Sequence, residues 1–151
     1  MSDLWRPSVT VAAVIERGGR FLLVEEEVDG RRVLNQPAGH LDPGESLVQA
    51  CRREVLEETA HRFAPRALVG VYRWHYAPKD VTFLRFCFCG EVEGVEDGRS
   101  LDRGIVAARW LSLEELQEKR PQHRSPLVET CVRDFLAGRR FPLELFSREF
   151  A

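Results

Sequence analysis

From Gly39 to His61 the chain reads GHLDPGESLVQACRREVLEETAH, a tight turn running into an unbroken helical stretch. Asp42-Pro43-Gly44 is a turn signal, because proline presets one dihedral and glycine accepts the left-handed one. Ser46, followed three residues later by Gln49, fits a capping box, and no proline or glycine interrupts Leu47 to Thr59, so a helix is predicted there. Residues three and four apart share a helix face, which puts Glu54, Glu57 and Glu58 within an arc of about 100°. Like charges at i and i+4 destabilise a free helix, and a bound cation would offset them. Three carboxylate ligands suit magnesium or manganese better than zinc, and magnesium readily takes further oxygens from substrate phosphates. Arg53 stands four residues before Glu57, placed to orient Glu45 or one of the helix carboxylates. Taken alone, the stretch from Arg53 to Glu58 also reads as a solvated face with intrahelical pairs.

The segments on either side read as strands. Val9 to Ile15 and Phe21 to Glu27 flank a Gly18-Gly19 turn as a hairpin, and Val33 to Gln36 is a short strand that delivers the loop at Gly39. After the helix, Arg62 to Pro65 is a connecting loop. Ala67 to Ala77 and Val81 to Val92 are strands about the Pro78-Lys79-Asp80 turn, Glu93 to Gly104 is a polar loop, and Ile105 to Leu111 is a further strand. Ser112 to Glu115 opens a short helix with a capping box. Ser125-Pro126 supplies an N-cap and a first-turn proline for a last helix to about Gly138. Strands among three helices indicate an α/β sandwich with a mixed sheet, in one domain spanning residues 1–151. The aromatic tail from Phe141 to Phe150 has no assigned element and is placed to cover a sheet edge or join a dimer interface.

A formal charge of −2 offers no basic excess for a nucleic-acid polymer or a membrane surface. Cys51, Cys87, Cys89 and Cys131 show neither metal spacing nor a disulfide framework, and the N-terminal residues lack the apolar core of a signal peptide. A cytoplasmic protein, monomeric or homodimeric, is expected, acting on a small phosphorylated molecule.

The spacing Gly39, five residues, Glu45, seven residues, then Arg53-Glu54-Val55-Leu56-Glu57-Glu58 resembles the Nudix box. Ala60 and His61 depart from it, standing where the box has a glycine and an apolar residue; both lie at the helix exit and neither removes a ligand. The resemblance implies an α/β/α sandwich and a magnesium-dependent hydrolase of diphosphate-linked compounds. Carried over position by position, Glu54, Glu57, Glu58 and the carbonyl of Gly39 would bind the metal, and Arg53 with Glu45 would brace the helix. The general base stays open between Glu57, Glu58 and Asp102, the last from the acidic loop before a late strand.

Trp74, Tyr72 and Phe83 lie on facing strands, suited either to stacking on a planar substrate ring or to a place in the core. Arg85 interrupts the apolar run Phe83-Leu84-Arg85-Phe86 and needs a partner, a substrate phosphate or a structural carboxylate. His40 follows Gly39 and reads as a loop histidine rather than a ligand. The stretches Asn35 to Leu41, Phe83 to Phe86, Arg124 to Val128 and Phe141 to Glu144 are similar to a bacterial phosphatase group within the Nudix family. That implies release of phosphate from nucleoside di- and triphosphates and from a pyrimidine pyrophosphate of thiamine metabolism. Two alternatives are a nucleotide pyrophosphohydrolase that releases pyrophosphate and a Nudix module that senses a metabolite without turnover.

Overall fold

The computed structural model describes residues 3–146. Its elements are β1 (Ser8–Arg17), β2 (Arg20–Val28), β3 (Arg31–Asn35), β4 (Ala38–His40), α1 (Leu47–Thr59), β5 (His61–Tyr76), β6 (Val81–Val95), β7 (Ile105–Ser112), α2 (Leu113–Glu118), α3 (Leu127–Leu136) and β8 (Phe141–Pro142).

The centre is β1, buried on both faces from Val11 to Ile15. A strand of that kind needs cover on each side. Val11, Ala13 and Ile15 pack with Ala50, Cys51 and Val55 of α1. Ala12 and Val14 face the other way, in one core with Leu116 of α2 and Leu127, Val128, Cys131 and Val132 of α3. The alternation along a single strand therefore sorts the helices into two layers about the sheet. That sheet is mixed: β1 runs parallel to β6 and antiparallel to β4, and the pairs β6 with β5 and β5 with β8 are antiparallel.

Several boundaries differ from those expected. The hairpin is brief, since β1 and β2 pair only at Glu16 with Phe21 and Arg17 with Arg20 before β2 turns aside to join β3 and β7. No loop spans Arg62 to Pro65, because β5 starts directly at His61 and buries Phe63, Ala64 and Pro65. A proline is tolerated there because the register with β6 shifts between Pro65 and Ala67. The same irregularity presses the Ala64 carbonyl towards Gly90, where a Cβ would sit 2.1 Å from it. β6 continues to Val95, which shortens the acidic loop to residues 96–104. β4 was not foreseen; it is three residues long and pairs with the centre of β1.

All four cysteines are buried and free. Among the described residues no helix is long and apolar enough to cross a membrane. Phe141 and Pro142 cover the edge of β5 at Ala67 and Leu68, and Phe146 packs on Phe86 and Phe88. Residues 147–150 of the aromatic tail lie outside the described residues.

At the end of α1, Ala60 takes the left-handed conformation (φ 59°, ψ 14°) and its N–H donates to the Leu56 carbonyl. A side chain with a Cβ is strained there, so Ala60→Gly is expected to raise stability by about 1 kcal/mol. Urea denaturation measures it, and an unchanged or lower midpoint would show that the exit carries no strain.

Candidate active site

α1 is held by local chemistry at its start. Ser46 Oγ accepts the Gln49 N–H at 3.0 Å, and the Gln49 side chain accepts the Ser46 N–H at 2.8 Å. With Ala50, Cys51 and Val55 committed to the core, Glu54, Glu57 and Glu58 turn towards β4 and the loop before β7.

Arg53 gathers the charges. Its Nε and Nη2 grip both oxygens of Glu45 at 3.0 and 2.6 Å, Nη1 donates to Glu54 at 2.8 Å and to Glu57 at 3.2 Å, and Nη2 reaches the His40 carbonyl at 2.9 Å. The bond from Arg53 holds the Glu45 carboxyl below its usual range, and that of Arg53 is raised in return. One guanidinium thus ties the turn before α1 to two carboxylates on it.

Gly39 explains why the turn needs a glycine at that point. A Cβ there would fall 2.1 Å from Glu54 Cδ and 2.2 and 2.4 Å from its two oxygens, so the carboxylate occupies the space a side chain would fill. Glu58 faces the same cavity as Glu54, with its Oε1 accepting the Ala38 N–H at 2.9 Å. The carboxylate that completes the group is Asp102. Its N–H donates to the Glu57 carbonyl at 2.9 Å, one of the carbonyls left open at the end of α1, while the Glu96 N–H takes that of Ala60 at 2.8 Å. These two bonds dock the acidic loop on the helix end. Oxygens of Glu54, Glu57 and Asp102 all lie within 4.8 Å of one another. Three hard oxygen donors so placed suit an oxygen-seeking divalent cation.

Burial pushes the Glu54 carboxyl up to about 7, Arg53 opposing and Glu57 and Asp102 adding to it. Burial likewise lifts Glu58 to about 9, against the bond from Ala38 and with Glu26, Glu54 and Asp102 reinforcing the rise. Raised folded-state values mean that the native protein holds protons the unfolded chain has released. Their stabilising contribution is complete below about 4.5 and is lost as pH climbs through about 7 for Glu54 and about 9 for Glu58. The melting temperature of the chelator-treated protein is therefore expected to fall between pH 5.5 and 8.5, and the gain on adding magnesium to grow over the same interval. A magnesium effect that shrinks with rising pH would contradict this.

Glu54 and Glu58 also wall a cavity of about 320 Å³ with Gly39, His40, Trp74, Phe83, Arg85 and Arg124. Trp74 and Phe83 are stacked on each other, 5.7 Å between centroids and 18° between planes. Tyr72 does not reach this cavity; its hydroxyl donates to Asp134 at 2.7 Å and its ring leans on the α3-side core. Arg85 is buried on the cavity wall and gives Nη1 to Gln36 Oε1 at 2.9 Å and Nη2 to Asn35 Oδ1 at 3.0 Å. Its direct partners are these two amide oxygens and the Cys131 sulfur, with the charge of Glu26 nearby. Gln36 passes the chain on to α3 by donating to the Val128 carbonyl at 2.6 Å.

Thr10, Asn35, Arg124 and Ser125 also line the cavity and are not among the site residues expected from the sequence. Glu26 was missed too: Phe21 to Val24 are buried on both faces, so no alternation singles it out, and its burial is set by the neighbouring strands and Arg124.

The NUDIX domain model matches residues 4–131. Phosphatase NudJ of Shigella boydii is 42% identical over 144 residues, covering 95% of this chain and 93% of that protein. NudJ of Escherichia coli K12 is 41% identical over the same share of each. Among solved structures, a NUDIX hydrolase from Nitrosomonas europaea is 52% identical, with a TM-score of 0.94 over 95% of this chain and 98% of that one. A MutT NUDIX hydrolase from Burkholderia pseudomallei, at 22% identity and a TM-score of 0.73 over 86% and 98%, shares the fold. By the domain match and these identities over nearly the whole of both chains, the chain belongs to the Nudix family and is a hydrolase of phosphorus-containing acid anhydrides.

Proposed function

We propose that this single-domain, cytoplasmic protein is a magnesium-dependent hydrolase of nucleoside di- and triphosphates and of a pyrimidine pyrophosphate, releasing the terminal phosphate. The observation that carries the reading is the position of Glu54, which belongs both to the oxygen cluster with Glu57 and Asp102 and to the wall of the cavity that ends at Trp74 and Phe83. A diphosphate at one end and a planar ring at the other would fit that layout. The name of the relatives, phosphatase NudJ, favours phosphate over pyrophosphate as the product.

Glu54, Glu57 and Asp102, with Glu58 and the Gly39 carbonyl beside them, would hold magnesium, with manganese an alternative, and Arg53 and Glu45 would keep Glu54 and Glu57 in place. The metal supplies charge neutralisation of the phosphoryl oxygens and a more acidic bound water. Glu58 accepts from Ala38 on one carboxylate oxygen, and it would accept the proton of the attacking water once a cation beside Glu54 and Asp102 had drawn its raised pKa down. Arg85, whose Nη1 and Nη2 already serve Gln36 and Asn35, would meet the substrate through its charge and the Trp74 and Phe83 pair through their rings, with Tyr72 as support behind them.

The test is a product assay with magnesium over nucleoside di- and triphosphates and hydroxymethylpyrimidine pyrophosphate, resolving phosphate from pyrophosphate. Phosphate is the expected product. Pyrophosphate would move the attack to an inner phosphorus, and binding without turnover would make the protein a sensor.

A further inference from the structure

Arg124 is fixed at two points and unengaged at a third. Its backbone N–H donates to the Leu34 carbonyl at 2.8 Å, and Nη1 donates to Glu26 Oε2 at 2.5 Å. Glu26 is 6% exposed, so the anchor is a buried carboxylate on a central strand. Among the described residues the Nε and Nη2 edge of Arg124 bonds to nothing, and 46% of the side chain is open to solvent. That edge is the one with which Arg53 and Arg120 grip both oxygens of Glu45 and Glu129 elsewhere in the molecule. Arg85, the other arginine on the cavity, has already committed Nη1 and Nη2 to Gln36 and Asn35.

The location of the free fork selects its ligand. Trp74, Phe83 and Arg124 wall the main cavity and also a second one of about 300 Å³, which none of the box carboxylates or Asp102 lines. Arg124 therefore sits at the aromatic end of the cleft, away from the oxygen cluster. A guanidinium fork is donor-only and rigid, and it matches two adjacent acceptors in one plane. On a ring lying against Trp74 that pattern is O6 and N7 of a 6-oxopurine, whereas adenine presents an amino donor at the first position.

We infer that Arg124 is the specificity residue for the ring moiety and that it favours 6-oxopurine nucleotides. The inference rests on the proposed nucleotide hydrolase activity. It is tested by kcat/KM with magnesium for dGTP, 7-deaza-dGTP and dATP in the wild type, Arg124→Gln and Arg124→Lys. The wild type is expected to prefer dGTP over both others by roughly tenfold or more, and both variants to bring that ratio towards one, since lysine keeps the charge but not the fork. A wild-type ratio within about twofold overturns the inference. So does a ratio that survives in either variant, as it would if Arg124 met only phosphate or served only the fold. Should no nucleotide be hydrolysed, the proposed function falls. The same ratio is then read from calorimetric affinities for dGTP and 7-deaza-dGTP in the presence of magnesium, with equal affinities overturning the inference.

Discussion

Glu57→Gln is expected to lower kcat by about a thousandfold or more while the melting temperature of the metal-free protein changes little. Glutamine has the shape of glutamate and can still accept from Arg53 Nη1, which lies 3.2 Å from the present carboxylate. What it removes is one of three charges in the oxygen cluster. A divalent cation contributes several kcal/mol to stabilising a phosphoryl transition state, and each 1.36 kcal/mol is tenfold in rate, so a loss of about 4 kcal/mol gives the stated factor. Glu57 is half-buried and outside both core clusters, so the fold does not depend on its charge. Steady-state kinetics at saturating magnesium make the check. Turnover near the wild-type rate would remove Glu57 from the metal site.

Gly39→Ala is expected to act on the same site from the other side. The added methyl would lie 2.1 Å from Glu54 Cδ, and no backbone atom is among the three nearest it would meet. The side chain can swing away at small cost to folding, but only by leaving the cluster. The variant should fold, with magnesium affinity down by about 10- to 100-fold, the range seen when groups that orient metal ligands are removed. Activity at limiting magnesium falls with it. Because crowding rather than a positive φ demands glycine here, an affinity unchanged by the methyl would show that Glu54 is not confined to its present position.

What could be read from the sequence was what local rules decide. The bounds of α1, Leu47–Thr59, and its capping box follow from Ser46, Gln49 and the absence of helix breakers, all within one stretch of chain. The bracing of Glu45 by Arg53 was legible for the same reason, since the turn brings them together. The start of β5 was not, because its extended form at Phe63 and Ala64 comes from pairing with β6, some thirty residues on. Glu58 stood with Glu54 and Glu57 by helical spacing, and only the nearness of β4 sends its carboxylate to Ala38. Asp102 could be nominated from its acidic loop, yet the backbone bonds that dock it on Glu57 and Ala60 depend on where the helix ends relative to β6. Arg124 illustrates the same limit: its anchor, Glu26, is ninety-eight residues away in the chain.

Binding of the divalent ion by Glu54, Glu57 and Asp102 together is read from manganese binding followed by electron paramagnetic resonance. The wild type should bind manganese in competition with magnesium, and Glu57→Gln and Asp102→Asn should each weaken that binding by about tenfold or more. Undiminished binding in both variants would place the metal elsewhere.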